Sequence, residues 1–201
     1  MVALTRIWLL RHASTMSSEE GRFLGWADEG LSHAGRAEAR GLRVHLSALE
    51  PEHVWSSDLR RAVDTARLAV GEPRIDARLR ELDFGELEGK TWQECSPVMR
   101  EALGRFEGFG APGGESLDQL RRRVDSFLDE LGAGRHLIVT HGGVIRALLG
   151  EIGVEGGVPP AGLVELGART TRSRAKQAPV LHPPVFPAPR IRRSPRPSAG
   201  S

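Results

Sequence analysis

The chain has 201 residues, 39% of them hydrophobic and 27% charged, with a mean hydropathy of -0.29. That make-up is enough for one α/β domain with a buried core, which excludes a wholly disordered protein, and no apolar run approaches the roughly 20 residues of a membrane span. The single Cys95 excludes an internal disulfide and any multi-cysteine zinc site.

The formal charge of +2 hides an asymmetry. Eight of the 28 Lys and Arg, and none of the 26 Asp and Glu, fall between Arg169 and Ser201. Positions 1–168 therefore hold 20 basic against 26 acidic residues, a balance of -6. The same tail carries seven of the 13 prolines, which remove backbone donors and resist helix and sheet interiors. Two units are expected: a domain over 1–168 and a basic Pro/Arg-rich disordered tail over 169–201. The basic pI belongs to the tail, and the acidic body gives no support for nucleic acid as a partner. Met1 to Leu10 is apolar but broken by Arg6 and lacks a small-residue cleavage site, so a cytoplasmic protein with no membrane partner is expected.

In chain order, Ile7 to Leu10 is a continuous apolar run that suits a strand buried on both faces. Ser32 to Leu49 has helical periodicity with Ser32 as N-cap. His53 to Ser57 reads as a short strand, Asp58 to Val70 as a helix and Arg74 to Leu79 as a strand. Thr91 to Phe109 reads as helix with a break at Pro97. Ala111 to Gly114 is a loop, and Ser116 opens a helix with Gln119 in capping-box spacing and Leu117, Leu120, Val124, Phe127, Leu128 and Leu131 on one face. His136 to Thr140 is the clearest strand, followed by a helix from Val144 to Gly150. Leu163 to Leu166 is a final edge strand. Alternation of this kind predicts a three-layer α/β/α fold with a mainly parallel central sheet.

Two of the strands end in histidine, His12 and His141. In an open parallel sheet the ligand crevice lies beyond the carboxyl ends of the strands, so both imidazoles are expected in one place. The strand around Trp55 delivers Ser57-Asp58-Leu59-Arg60-Arg61 to the same edge, with an arginine in a first helical turn that already favours anions. Two histidines with several arginines suit a phosphate, because the planar guanidinium fork matches a tetrahedral oxyanion and stays charged.

At this point the blocks resemble the histidine phosphatase superfamily, the group that includes cofactor-dependent phosphoglycerate mutases. They are Leu10-Arg11-His12-Ala13-Ser14-Thr15, Gly25-Trp26-Ala27-Asp28, Ser56 to Ala62 with Thr65-Ala66, Leu79 to Gly85 with Glu88-Gly89, Gly113-Gly114-Glu115-Ser116, and Val139 to Gly143. They occur in family order from Ile7 to Leu166. The resemblance implies a phosphoglycerate mutase-like fold and gives each residue a role. His12 is the expected nucleophile, Arg11 and Arg61 the oxyanion clamps, His141 a phosphoryl donor helped by the Gly142 N–H, and Glu81 the acid–base group. Charge stabilisation by these side chains implies no metal and no cofactor.

Two departures stand out. Ala13 occupies a position that many members fill with glycine, acceptable if no positive φ is needed. Ser18 falls where the family places a phosphate-binding asparagine, so a weaker phosphate contact is expected there. Thr15, Arg22 and Gly25 are further expected substrate-binding residues. Arg121-Arg122-Arg123 reads as the wet face of a helix, and Glu115 as a neighbour of the pocket without a defined role.

The body lacks the extra segment of phosphoglycerate mutases between the acid block and the final histidine, which favours hydrolysis. The expected activity is that of a metal-independent phosphomonoesterase working through a phosphohistidine on a small phosphorylated metabolite. The compact length resembles the α-ribazole-5′-phosphate phosphatase branch of cobalamin biosynthesis, which makes that ester the first substrate choice. Broad-specificity phosphatase and phosphoglycerate mutase are the enzyme alternatives. A non-catalytic binder of phosphorylated ligands is the alternative of another class. A homodimer is the only expected protein partner.

Overall fold

Alternation along the first strand, β1 (Leu4–Arg11), decides the layering. Successive side chains of a strand point to opposite faces, and here Ile7 and Leu9 enter one buried cluster while Trp8 and Leu10 enter another. The computed structural model describes residues 4–106, 108–149, 157–170 and 180–181. Besides β1 the sheet contains β2 (His53–Ser56), β3 (Arg74–Ile75), β4 (Gly134–Thr140), β5 (Leu163–Thr170) and β6 (Val180–Leu181). Their order is β3-β2-β4-β1-β5-β6. The β1–β4, β2–β4 and β2–β3 pairs are parallel, and β5 is antiparallel to both β1 and β6.

The helices are α1 (Met16–Glu19), α2 (His33–Gly41), α3 (Arg43–Ser47), α4 (Arg60–Ala69), α5 (Pro97–Arg105), α6 (Leu117–Asp129) and α7 (Gly142–Leu149). Leu117, Leu120, Val124 and Phe127 of α6 and Val144, Ile145 and Leu149 of α7 pack with Ile7, Leu9 and Ile138 on one face. Ala39 of α2, Leu46 of α3 and Ala62, Ala66 and Ala69 of α4 pack with Trp8, Leu10, Leu137 and Val139 on the other. The result is the expected α/β/α sandwich with a mainly parallel sheet. No helix among the described residues is long and apolar enough to cross a membrane.

Several boundaries differ from the sequence expectation. The helix expected over Ser32–Leu49 divides into α2 and α3 at Leu42. Pro97 starts α5 instead of breaking it. Proline lacks the N–H that a first helical residue leaves unused, and the Ser96 side chain accepts from Met99 N. The strand expected over Arg74–Leu79 stops at Ile75, because the Asp76 side chain caps a 3-10 turn at Ala77–Leu79. β5 is longer than expected and is not an edge. Its pairing with β1 continues to Leu4 opposite Thr170, and Val164 and Glu165 pair with Leu181 and Val180. The boundary expected at residue 168 thus falls inside β5, and four residues assigned to the tail, Arg169, Thr170, Val180 and Leu181, pair with the sheet. The rest of that expected tail, 171–179 and 182–201, lies outside the described residues.

Candidate active site

The parallel pairing of β1 with β4 sets Arg11 opposite Thr140, so the next residue of each strand is a histidine. The His12 and His141 rings lie 5.2 Å apart between centroids, and both residues are buried. His12 Nδ1 is 2.8 Å from the Ala13 carbonyl oxygen. A carbonyl can only accept, so Nδ1 carries the proton and the neutral ring keeps its lone pair on Nε2. Burial pushes the His12 pKa well below the usual histidine value, and the Arg61 and Arg11 charges push it further. His141 is driven the same way by burial, then by Arg61, His12 and Arg11. Both rings are therefore neutral near pH 7. Ala13 is absent from the residues with positive φ, so alanine carries no backbone strain there.

Arg61 lies in the first turn of α4 and is fully buried, 0% exposed. Its Nη1 donates to the Ala27 carbonyl at 2.9 Å and its Nη2 to the Gly25 carbonyl at 2.6 Å. Thr65 Oγ1 donates to the Arg61 carbonyl at 2.7 Å and accepts from Ala13 N at 3.0 Å, tying the first turn of α4 to the histidine strand. Arg11 Nη1 donates to the Val158 carbonyl at 2.7 Å. Burial lowers the pKa of both arginines while the Glu81 charge opposes it, and both remain cationic. Among the described residues, Arg11 Nε, Arg61 Nε and both His141 ring nitrogens are buried without a hydrogen-bond partner. Unpartnered buried polar nitrogens are rare in folded proteins, and these four gather beside the His12 ring.

Glu81 is buried at 6% exposure. Its Oε1 accepts from Leu82 N at 2.8 Å and its Oε2 from Gly143 N at 3.0 Å, at the N-terminal turn of α7. Its backbone carbonyl accepts from Trp26 Nε1 at 2.9 Å and from Arg123 Nη2 at 2.8 Å. Gly25 is required for close approach, since a Cβ there would meet the Leu82 oxygen and Phe84 nitrogen at 2.8 Å. The loop around it is held by Glu88, which accepts from Gly25 N at 2.8 Å and Ala27 N at 2.9 Å.

The structure thus brings Arg11, His12, Arg61, Glu81 and His141 together, with Gly142 and Gly25 beside two of the arginines. Other expected residues are engaged differently. Thr15 caps α1, and the Ser18 hydroxyl accepts from Thr15 N at 2.8 Å while donating to the Thr15 carbonyl at 2.9 Å. Arg22 is exposed, with its guanidinium bound to Glu20 at 2.7 Å and to the Gly89 carbonyl at 2.9 Å. Arg123 is not on a wet face: its side chain is 17% exposed and bound to Glu115 at 2.7 Å. The signal was its position in α6, three residues after Leu120 and four before Phe127, on the border of the apolar stripe. Among the described residues no group of three His, Cys, Asp or Glu is arranged to hold a metal ion.

Two neutral imidazoles, two buried guanidiniums and a carboxylate at the carboxyl edge of a parallel sheet make a site for a tetrahedral oxyanion undergoing transfer. The family model for the histidine phosphatase superfamily, branch 1, matches residues 7–172. A phosphoglycerate mutase-like protein of Arabidopsis thaliana is 36% identical over 162 residues, covering 73% of this chain and 70% of the relative. A putative phosphoserine phosphatase of Hydrogenobacter thermophilus is 33% identical over 167 residues, covering 76% and 82%. Among solved structures, a phosphoglycerate mutase of Thermus thermophilus is 46% identical with a TM-score of 0.74, over 81% of this chain and 93% of that one. The chain belongs to the histidine phosphatase superfamily, branch 1, and is an enzyme of that family.

Proposed function

We propose that the protein hydrolyses phosphomonoesters of small metabolites through a phosphohistidine at His12, without a metal. The observation that carries this reading is the convergence of four unpartnered buried nitrogens, on Arg11, Arg61 and His141, around a His12 ring whose Nδ1 is tied to a carbonyl. The Nε2 lone pair attacks phosphorus opposite the ester oxygen, forming N–P as the P–O bond breaks. Glu81, entering the step as the carboxylic acid, passes its proton to the departing oxygen and becomes the carboxylate, and the alcohol leaves. Arg11, Arg61, His141 and the Gly142 N–H hold the three non-bridging oxygens, where transition-state charge is spread. Water then attacks the phosphohistidine, its proton goes to Glu81, and phosphate departs. The Ala13 carbonyl keeps the Nδ1 proton throughout, stabilising the cationic ring that forms when Nε2 is phosphorylated.

Hydrolysis is favoured over isomerisation by the state of the neighbouring cations. A phosphoglycerate mutase must hold a second anionic group of its substrate. Here the guanidiniums of Arg80, next to the acid residue in the chain, and of Arg123, bound to its carbonyl, are committed to carboxylates: Arg80 to Asp58 at 2.6 Å and Arg123 to Glu115 at 2.7 Å. The relatives include phosphoserine phosphatases and phosphoglycerate mutases, and none of those described above is named for an α-ribazole activity. α-Ribazole 5′-phosphate stays in the substrate panel as an ester whose alcohol bears no further anion.

The test is incubation in EDTA with p-nitrophenyl phosphate, phosphoserine, α-ribazole 5′-phosphate and 3-phosphoglycerate, following free phosphate and isomer together. Free phosphate from at least one monoester, absent in His12→Ala, is the expected result. Isomerisation of 3-phosphoglycerate without phosphate release would replace the hydrolase reading by a mutase one. No turnover of any ester, with retained phosphate binding, would make the protein a binder.

A further inference from the structure

The segment that carries Glu81 has no sheet ladder to fix it. It runs from the 3-10 turn at Ala77–Leu79 to another at Gly85–Leu87, so the carbonyls between must find donors elsewhere. One side chain supplies three of them along the Arg78–Glu81 stretch. Arg123 Nη1 donates to the Arg78 and Arg80 carbonyls, both at 2.7 Å, and Nη2 to the Glu81 carbonyl at 2.8 Å. Its remaining donors form a bidentate pair with Glu115, Nε to Oε1 at 2.7 Å and Nη2 to Oε2 at 2.8 Å. These five bonds use every N–H that a guanidinium possesses.

Glu115 is fixed in turn. Its backbone N donates to the Asp83 carbonyl at 2.9 Å, closing a loop around the Glu81 segment from the far side. Gly114 makes that approach possible, because a Cβ there would run into the Asp83 carbonyl and stand 2.7 Å from Gly85 N. The Gly113-Gly114-Glu115-Ser116 block therefore has a physical meaning that the reaction steps do not use: it delivers a carboxylate to Arg123 and opens α6, whose Ser116 and Gln119 form a reciprocal capping box.

We propose that the Arg123–Glu115 pair is the positioning unit for Glu81, holding the acid–base carboxylate at the distance from the ester oxygen that proton transfer requires. The inference rests on the acid–base role given to Glu81 above. With all five N–H groups spent on these carbonyls and on Glu115, Arg123 has none left for a substrate. It acts through the backbone of Glu81, together with the Trp26 indole on the same carbonyl. A Lys ammonium has three donors and no planar fork, so it keeps the charge of Arg123 without spanning three carbonyls and a carboxylate.

The assay separates positioning from general support of the fold by varying the leaving group. An alkoxide needs a proton as it departs, whereas p-nitrophenolate leaves without one. Turnover of β-glycerophosphate and p-nitrophenyl phosphate is measured for wild type, Glu81→Gln, Arg123→Lys, Arg123→Ala and Glu115→Gln. Glu81→Gln sets the reference, with the alkyl ester slowed about 10²-fold or more beyond the aryl ester. Arg123→Lys and Glu115→Gln are expected to slow the alkyl ester at least roughly tenfold more than the aryl ester, because misplacement of the acid by about 1 Å costs on the order of 10²-fold. Equal losses on both esters, or no loss, in these two variants while Glu81→Gln keeps its selectivity would overturn the positioning role alone. A Glu81→Gln variant without leaving-group selectivity would overturn the acid assignment and this inference with it. Should Arg123→Ala not fold, the lysine and glutamine variants decide.

Discussion

Gly143→Ala sets local stability against catalysis. Gly143 is the second residue of α7, with φ outside the left-handed region, so alanine is conformationally allowed. Alanine in a helix is worth up to about 1 kcal/mol over glycine. A Cβ at this position, however, overlaps Glu81 Oε1 and stands 3.1 Å from Glu81 Cδ. The carboxylate has to retreat by roughly 1 Å to regain van der Waals contact, and it loses the 3.0 Å bond from Gly143 N as it does so. Displacement of that size in an acid–base group costs about 10²-fold in rate, equivalent to about 2.7 kcal/mol of barrier. The expected result is a Tm equal to or slightly above wild type and kcat/KM for β-glycerophosphate reduced about 10²-fold. Wild-type turnover in this variant would refute the placement of Glu81 at the reacting oxygen. A fall in Tm matching the fall in rate would refute the claim that the methyl group acts on the carboxylate alone.

Three further predictions address the charges and hydroxyls of the site. His12 and His141 are held below their ordinary pKa of 6.5 in the folded protein, so between the two values the unfolded chain binds more protons. Their contribution to stability is complete above pH 6.5 and is lost as pH falls towards the folded values, so denaturant midpoints should fall below pH 6.5 and fall less in His141→Ala; an unchanged acid slope would contradict buried neutral rings. Arg61→Met removes the donors to the Gly25 and Ala27 carbonyls and one of the two proposed oxyanion clamps. It should cost about 2 kcal/mol in urea unfolding; millimolar phosphate is expected to raise the Tm of the wild type but not of this variant, and retained phosphate stabilisation would remove Arg61 from the anion site. Ser18→Ala should leave KM for p-nitrophenyl phosphate within about threefold while lowering stability by about 0.5–1 kcal/mol, because the hydroxyl is spent on the α1 cap. A KM raised tenfold or more would put that hydroxyl on the substrate.

The convergence of the two histidines was legible because their positions follow from chain direction. His12 and His141 end runs of apolar residues, and a parallel pair of such strands can only bring both rings to one edge. The first helical turn of α4 pointed to one arginine of Arg60-Arg61 and the family resemblance singled out Arg61, while α6 followed from its apolar spacing and its Ser116 and Gln119. What escaped was long-range. Arg123 looks like one of three consecutive arginines on a wet face until Glu115 and the Glu81 segment are folded against it. Ser18 stands at a family position but has a nearer partner in Thr15, and local hydrogen bonding won. Pro97 was read as a break because its missing N–H was counted against a helix, when at the first helical residue that absence costs nothing. The pairing of β6 with β5 joins residues 15 and 17 positions apart through backbone groups, which side-chain periodicity does not reveal.

The central claim is that phosphorus is carried by His12 Nε2. Brief incubation with a phosphorylated donor, rapid alkaline quench and phosphorus NMR, followed by peptide mapping, reads that bond directly. An acid-labile, alkali-stable phosphoramidate on the peptide containing Arg11-His12-Ala13, with the phosphoryl group on Nε2 and no signal in His12→Ala, is the expected result. Phosphate on His141, on Nδ1 of His12, or on no residue while wild-type protein turns over at full rate would contradict it.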